Sequence, residues 1–392
     1  MTTHRFLLLT VLGLSLPGPA LAVDETRPEG TILEPGRVEV PMDIHTGRPL
    51  VELRINGSGP YAFILDTGAS LSVIDRDVAA ELELPVVGET TFGDPTAPEA
   101  FTSTLVRAES VDVGGLRLTG MTLTTFALRE MMGAGPAGVL GFPDLAEVLV
   151  TIDSPRQRVC FARGELPADD ARVVPYACEG SLISLPMTVA AESITAHLDS
   201  GNPGMFMLPK ARQGDWNLES EPVEVGIVGT VGSTAKVWNA RVDGTITLAG
   251  LVFEDPEVAI SGLLTDWANV GFNALAGVEL TVDQKNRRLR MIRSDTPAEA
   301  RPSRRLVGVM FMGMGRPGDG LSIRDEGLQV ANVVPGSLAE QAGIRRGDVI
   351  FAVNGRPVGT YGSDDLGRLF GGQDRLDFDI RRDGEVLTAF IE

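Results

Sequence analysis

The sequence predicts a mainly β fold. Two copies of one β-barrel-like module, related by a pseudo-twofold axis, precede a smaller α+β domain. Three observations carry this reading. Short apolar runs alternate with polar positions at period two, and the chain of 392 residues holds 46 glycines and 25 prolines. That composition favours turns and short strands over long helices. Several landmarks recur in the same order along the chain, as an internal duplication requires. After Ile292 the polar stretch 294–304, rich in Pro and Ala, reads as a linker before a new pattern begins.

The N-terminal segment 1–22 reads as a secretory signal. Arg5 gives a positive start, Phe6–Leu16 is apolar but too short to cross a bilayer, and Ala20-Leu21-Ala22 fits a small-residue cleavage site. The expected mature protein is exported across the inner membrane to the periplasm or beyond, with no membrane span. Formal net charge is −19, which argues against nucleic acid and anionic membrane as partners.

The first module covers 38–165. Val51, Leu53 and Ile55 alternate with polar residues before the turn Asn56–Pro60, and a short strand Tyr61–Leu65 delivers Asp66. Asp75 is the expected N-cap of one helix over 75–84. Strands follow through Ser110–Leu118, broken at Gly114-Gly115, and Leu123–Leu128. The second module covers 173–293. It repeats an apolar run ending in Asp199-Ser200-Gly201 where the first has Asp66-Thr67-Gly68. Gly141 lies 75 residues after Asp66, and Gly271 lies 72 after Asp199. Twelve residues beyond each glycine come Asp153 and Asp283, read as hairpin-turn residues. Val40-Pro41-Met42 is matched to Leu185-Pro186-Met187 as a further landmark.

Two aspartates at the ends of apolar strands are the leading candidates for chemistry, because a carboxylate is costly to bury alone. Two carboxyls within hydrogen-bond reach cannot both ionise cheaply, so one keeps a proton. The ionised one then activates a water and the protonated one donates to a carbonyl oxygen. Competing chemistries fail on counts. Three histidines and two cysteines give no metal-ligand cluster at finger or zincin spacing, and no Gly-x-Ser-x-Gly elbow is present. No metal and no cofactor is expected. Cys160 and Cys178 read equally as one disulfide or as two free thiols.

On Phe63–Ser70, Gly138–Phe142 and their second-module counterparts, residues 38–293 resemble the aspartic peptidases of the bacterial retropepsin-like and pepsin-like group. The resemblance implies two homologous pepsin/retropepsin-like β-barrel lobes with catalytic Asp66 and Asp199 in the cleft between them. It implies support for the pair from Thr67, Gly68, Ser200, Gly201 and Asn202, with the Thr67 and Ser200 hydroxyls crossing to the opposite loop. Val139-Leu140-Gly141 and Val270-Gly271 would run behind the loops. Three departures stand out: Ala69 and Asn202 at the third place after each aspartate, with Pro203 beside the latter; no tyrosine in the flap region 88–106, leaving Phe92 or Phe101 to close it; and His197 two residues before Asp199. His197 reads as a core or interlobe histidine, or else as a charge beside the carboxyls.

The segment Val333–Gly355, with Ser337 capping a short helix and Gly347-Asp348 turning into a strand, resembles a bacterial PDZ domain over 305–392. Such domains take an extended peptide or C-terminus as an added strand. The resemblance implies a groove lined by Val307, Gly308, Val309, Leu366, Leu369 and Phe370. The combined expectation is an exported aspartic endopeptidase, monomeric, acting on polypeptide, with a peptide-binding PDZ domain. The alternative is a catalytically inactive scaffold of the same architecture, motivated by the altered loop Asn202-Pro203.

Overall fold

The computed structural model describes residues 8–9, 27–92, 101–129, 136–229, 234–294, 307, 309–311, 327–333, 337–361, 369 and 375–391. The expected signal segment falls outside them except for a two-residue strand at Leu8–Leu9, and so does the expected linker except Ser294. Two compact units separate, one holding both modules and one holding Glu299–Glu392. The described elements are mainly β, as the period-two patterning predicts.

The first lobe is built from β1 (Gly30–Leu33), β2 (Arg37–Pro41), β3 (Leu50–Ile55), β4 (Ser58–Asp66), β5 (Val73–Asp75), α1 (Arg76–Glu81), β6 (Val86–Phe92), β7 (Phe101–Val113), β8 (Leu116–Phe126) and β9 (Gly138–Gly141). The sheet order is β1-β8-β5-β9-β4-β3-β7-β6, and an additional β7–β8 pairing closes it into a barrel. In β3 the alternation is obeyed: Val51, Leu53 and Ile55 are buried while Glu52 and Arg54 face solvent. Asp75 caps α1 as expected, its side chain accepting from the Asp77 N–H, but the helix is shorter than 75–84 and stops at Glu81. Positive φ at Gly114 and Gly115 makes the tight β7–β8 turn.

The second lobe repeats this plan. After β10 (Leu149–Asp153) and β11 (Arg158–Ala162) close the first module, its strands are β12 (Val173–Pro175), β13 (Ala177–Glu179), β14 (Leu182–Val189), β15 (Glu192–Asp199), β16 (Phe206–Pro209), β17 (Val223–Gly229), β18 (Thr234–Arg241), β19 (Thr245–Leu248), β20 (Leu251–Glu254), β21 (Glu257–Ser261), β22 (Trp267–Gly271), β23 (Val278–Asp283) and β24 (Arg288–Arg293). The parallel pairs β4–β9 and β15–β22 have one register: Gly141 sits opposite Asp66, and Gly271 opposite Asp199. The duplicated motifs are thus duplicated in space.

A six-stranded sheet, β12-β24-β23-β10-β11-β2, joins the lobes. At its centre Thr151 pairs with Thr281, its own counterpart, and their hydroxyls lie 3.0 Å apart. An antiparallel strand pair in which a residue faces its own repeat equivalent is the signature of a local twofold axis. This sheet also corrects one landmark. Pro41 faces Arg158, and Pro175 faces Arg288. The counterpart of Val40-Pro41 is therefore Val174-Pro175; Leu185-Pro186-Met187 lies in β14, which pairs with β15 as β3 pairs with β4. A shared Pro-Met dipeptide had outweighed register. Asp153 and Asp283 are turn residues: each accepts the N–H three residues on, from Arg156 and Asn286.

One continuous apolar core runs through both lobes, with Phe63, Phe142, Phe161, Phe206 and Phe272 among its buried side chains. Cys160 is buried on β11, Cys178 is exposed on β13, and both are free thiols, so the disulfide reading does not hold.

The C-terminal unit holds β25 (Val309–Phe311), β26 (Leu328–Val333), α2 (Leu338–Gln341), β27 (Val349–Val353), β28 (Arg356–Pro357), β29 (Leu376–Arg382) and β30 (Glu385–Ile391). Its core gathers Val330, Ile350, Phe378 and Ile380. Ser337 caps α2 through the Glu340 N–H. Asp348 is buried, accepts from the Arg345 N–H, and takes two hydrogen bonds from Arg382 at 2.7 and 2.8 Å. Burial, the largest single influence, raises its pKa, but the Arg382 guanidinium and the Arg345 N–H and charge together hold the carboxyl below its ordinary value.

Candidate active site

β4 and β15 each turn inward at their ends, where Phe63–Leu65 and Ala196–Leu198 are buried just before the aspartate, and each pairs in parallel with a buried strand of its own lobe, β9 or β22. Both carboxyls are buried. They sit against each other's loop: a Cβ on Gly68 would lie 2.8 Å from Asp199 Cγ, and one on Gly201 would collide with Asp66 Oδ2. Only glycine permits that approach.

The two loops are locked by a reciprocal set of hydrogen bonds. The Thr67 N–H donates to Ser200 Oγ, and the Ser200 N–H donates to Thr67 Oγ1, each at 3.0 Å. The Thr67 hydroxyl goes on to the Leu198 carbonyl at 3.0 Å, and the Ser200 hydroxyl to the Leu65 carbonyl at 2.6 Å. Every donor is buried and used, so neither loop moves without breaking bonds in the other.

The carboxyls are held unequally. Asp66 Oδ1 accepts the N–H groups of Gly68 at 2.8 Å and Gly201 at 3.2 Å. Asp66 Oδ2 is buried and receives nothing from any other protein donor. The Asp66 charge favours a proton on the neighbouring Asp199 carboxyl, a donor of the kind Oδ2 lacks. Asp199 Oδ1 accepts the Asn202 N–H at 3.0 Å and Oδ2 accepts the Asn269 side-chain amide at 2.8 Å. Both pKa values lie above the carboxylate range. For Asp66, burial raises it, while the Gly68 and Gly201 N–H groups, Asp199 and the Arg48 charge hold it back. For Asp199, burial and then the negative Asp66 push it well up, against the Asn269 and Asn202 bonds. The pair therefore favours keeping one proton, with Asp199 the carboxyl pushed well up by burial and the Asp66 charge.

All seven expected residues of this pair and its support come together. Asn202 differs in detail, because its N–H rather than its side chain reaches Asp199. His197 is buried and stacked on Trp267, with ring centroids 4.4 Å apart, which makes it a core residue. The expected flap region forms the β6–β7 hairpin with Phe92 opposite Phe101; its tip lies outside the described residues.

Three features escape the sequence motifs. Arg48 donates to the Gly201 carbonyl at 2.7 Å, tying the first lobe to the second loop. Asn269 occupies the place of Val139, and a polar residue inside Trp-Ala-Asn-Val-Gly is its visible signal. Behind Asp66, Ser72 accepts the Gly141 N–H at 2.8 Å and donates to buried Asp144. Burial pushes the Asp144 carboxyl up to about 7, with Ser72 and the Arg27 charge opposing.

In the C-terminal unit the expected groove is partly described. Val307 is buried in the core and its carbonyl accepts the Ala339 N–H, so it packs rather than lines a groove. Val309 lies in β25, an end strand of its sheet, and Leu369 is half-buried against the core. Gly308, Leu366 and Phe370 lie outside the described residues. No helix among the described residues is long and apolar enough to cross a membrane, and none of their His, Cys, Asp and Glu side chains gather into a metal cluster.

Comparison with known proteins matches residues 51–143 to the aspartyl protease family model and residues 329–382 to a PDZ domain model. Human Rhophilin-1 is 46% identical over 54 residues, 14% of this chain and 8% of that protein, so the chain spans a small part of that relative's length. The crystal structure of an aspartic proteinase from Irpex lacteus aligns with TM-score 0.43 and 11% identity, covering 67% of this chain and 99% of that one. The first lobe thus resembles an aspartyl protease domain over residues 51–143, and the C-terminal unit a PDZ domain over residues 329–382.

Proposed function

We propose that the protein is an aspartic endopeptidase that hydrolyses polypeptide in the cleft between its two lobes. The observation that carries this is the buried pair Asp66–Asp199, each carboxyl set against the glycine of the other's loop, beneath the reciprocal Thr67–Ser200 lock. Ionised Asp66 takes a proton from water, whose oxygen attacks the scissile carbonyl carbon, and Asp199 gives its proton to the carbonyl oxygen. The resulting gem-diol collapses as Asp66 passes its proton to the leaving nitrogen and one diol hydroxyl returns a proton to Asp199. The C–N bond breaks and both carboxyls regain their starting states. No metal or cofactor enters this scheme.

The inactive-scaffold reading rested on Asn202-Pro203. That loop still supplies an N–H to Asp199, which favours activity. In the C-terminal unit, a peptide adds as a strand beside β25, which carries Val309 and is an end strand of its sheet among the described residues. The apolar N-terminal segment serves export, so the site works outside the cytoplasm, as a monomer. The test is hydrolysis of an unfolded protein by the wild type, Asp66→Asn and Asp199→Asn. Each variant is expected to lose about a thousandfold or more in kcat, as loss of a central catalytic group does. Retained hydrolysis in either variant contradicts the mechanism.

A further inference from the structure

The two lobes differ in one coordinated way. At the third place after the aspartate the first lobe has Ala69 and the second Asn202. On the supporting strand the first has Val139 and the second Asn269. Both second-lobe residues are polar and buried where their first-lobe equivalents are apolar. A buried amide is costly unless its groups are bonded, so two such changes in one place call for a shared purpose.

We propose that Asn269 is a positioning residue for Asp199, the last link of an amide relay that begins at Asn202 and does the work the loop of the first lobe does with its own backbone. The relay has one direction. The Gly204 N–H, which only donates, points at Asn202 Oδ1 at 2.8 Å. Asn202 must therefore present its NH2 to Asn269, and Asn202 Nδ2 lies 2.6 Å from Asn269 Oδ1. That leaves the NH2 of Asn269 to face Asp199 Oδ2 at 2.8 Å. A backbone donor thus fixes both amide orientations, and Asp199 Oδ2 is obliged to accept. With the Asn202 N–H on Oδ1, each oxygen of Asp199 has one occupied side, and its proton is directed to the side facing Asp66. Asp66 needs no such relay because Gly68 and Gly201 both donate to its Oδ1.

The kinetic arm of the test rests on the peptidase reading; the titration arm does not. The variants are Asn269→Val and Asn202→Ala, which install the first-lobe residues, and the two combined. Asp199 is ionised only after it has given up its proton, so losing the amide that favours that form predicts a drop in kcat of about 10- to 100-fold with KM changed by less than about twofold. The double variant is expected to lose no more than the worse single, since both break one relay. With 13Cγ-labelled aspartate, the Asp199 titration midpoint is expected to rise by about one pH unit in each variant. Should Asn269→Val not fold, Asn202→Ala reports on the same relay from the loop. A folded variant with unchanged Asp199 titration, or losses that multiply in the double variant, overturns the proposal. If the wild type hydrolyses nothing, the peptidase reading fails while the titration still decides the relay.

Discussion

Asp144 and Ser72 stand directly behind Gly141, in a position where the second lobe has Ala274 and Phe206. With its pKa raised to about 7, Asp144 binds a proton in the folded state that it releases in the unfolded chain above about pH 4. Its contribution is therefore fully present in acid and is lost as pH rises through about 7. Over that window the change is on the order of 4 kcal/mol. Asp144→Asn keeps an acceptor for Ser72 and abolishes the titration. The thermal midpoint of the variant relative to wild type is expected to climb between pH 4 and pH 7, and an unchanging difference would refute the assignment. At this scale the sequence was partly readable. Asp66, Asp199, Thr67 and Ser200 are legible because the chemistry demands those types at that spacing. Arg48 and the Ser72–Asp144 pair are not, because their partners lie 153 and 72 residues away along the chain.

Among the elements, strands ran longer than their apolar cores. β4 begins at Ser58 and the β7–β8 hairpin extends from Phe101 to Phe126, because ladder pairing carries polar residues that periodicity alone leaves in loops. The helix ran shorter, since Leu82 already closes it by backbone bonds to Ala80 and Val78. The Val40-Pro41 landmark misled because a dipeptide carries less information than strand register. In the C-terminal unit the turn before β27 is anchored by Asp348. Replacing it with Ala takes the acceptor from the Arg345 N–H and the carboxylate from Arg382, which keeps only the Gly343 carbonyl. Arg382 remains partly in water, so the expected cost is about 2–3 kcal/mol, read as a lower denaturation midpoint of this unit. A shift below about 0.5 kcal/mol would show that the ion pair is incidental.

For the whole two-lobed body, duplication explains both the symmetry and its breaking. The Thr151–Thr281 contact and the matched registers place the aspartates face to face. The halves are then unequal: the Arg48 charge favours an ionised Asp66, while burial and the Asp66 charge favour a proton on Asp199 against the opposing bonds from Asn269 and Asn202. The repeat was legible in the sequence as spacing, whereas the inequality depends on contacts between lobes that no local pattern encodes. The central claim, one proton shared by two buried carboxyls, is tested most directly by the pH dependence of kcat/KM on a peptide substrate. A bell is predicted, with an acid limb where Asp66 becomes protonated and a basic limb, displaced well above the carboxylate range, where Asp199 loses its proton. A rate that rises with pH to a plateau and shows no basic limb would contradict the shared proton and with it the proposed mechanism.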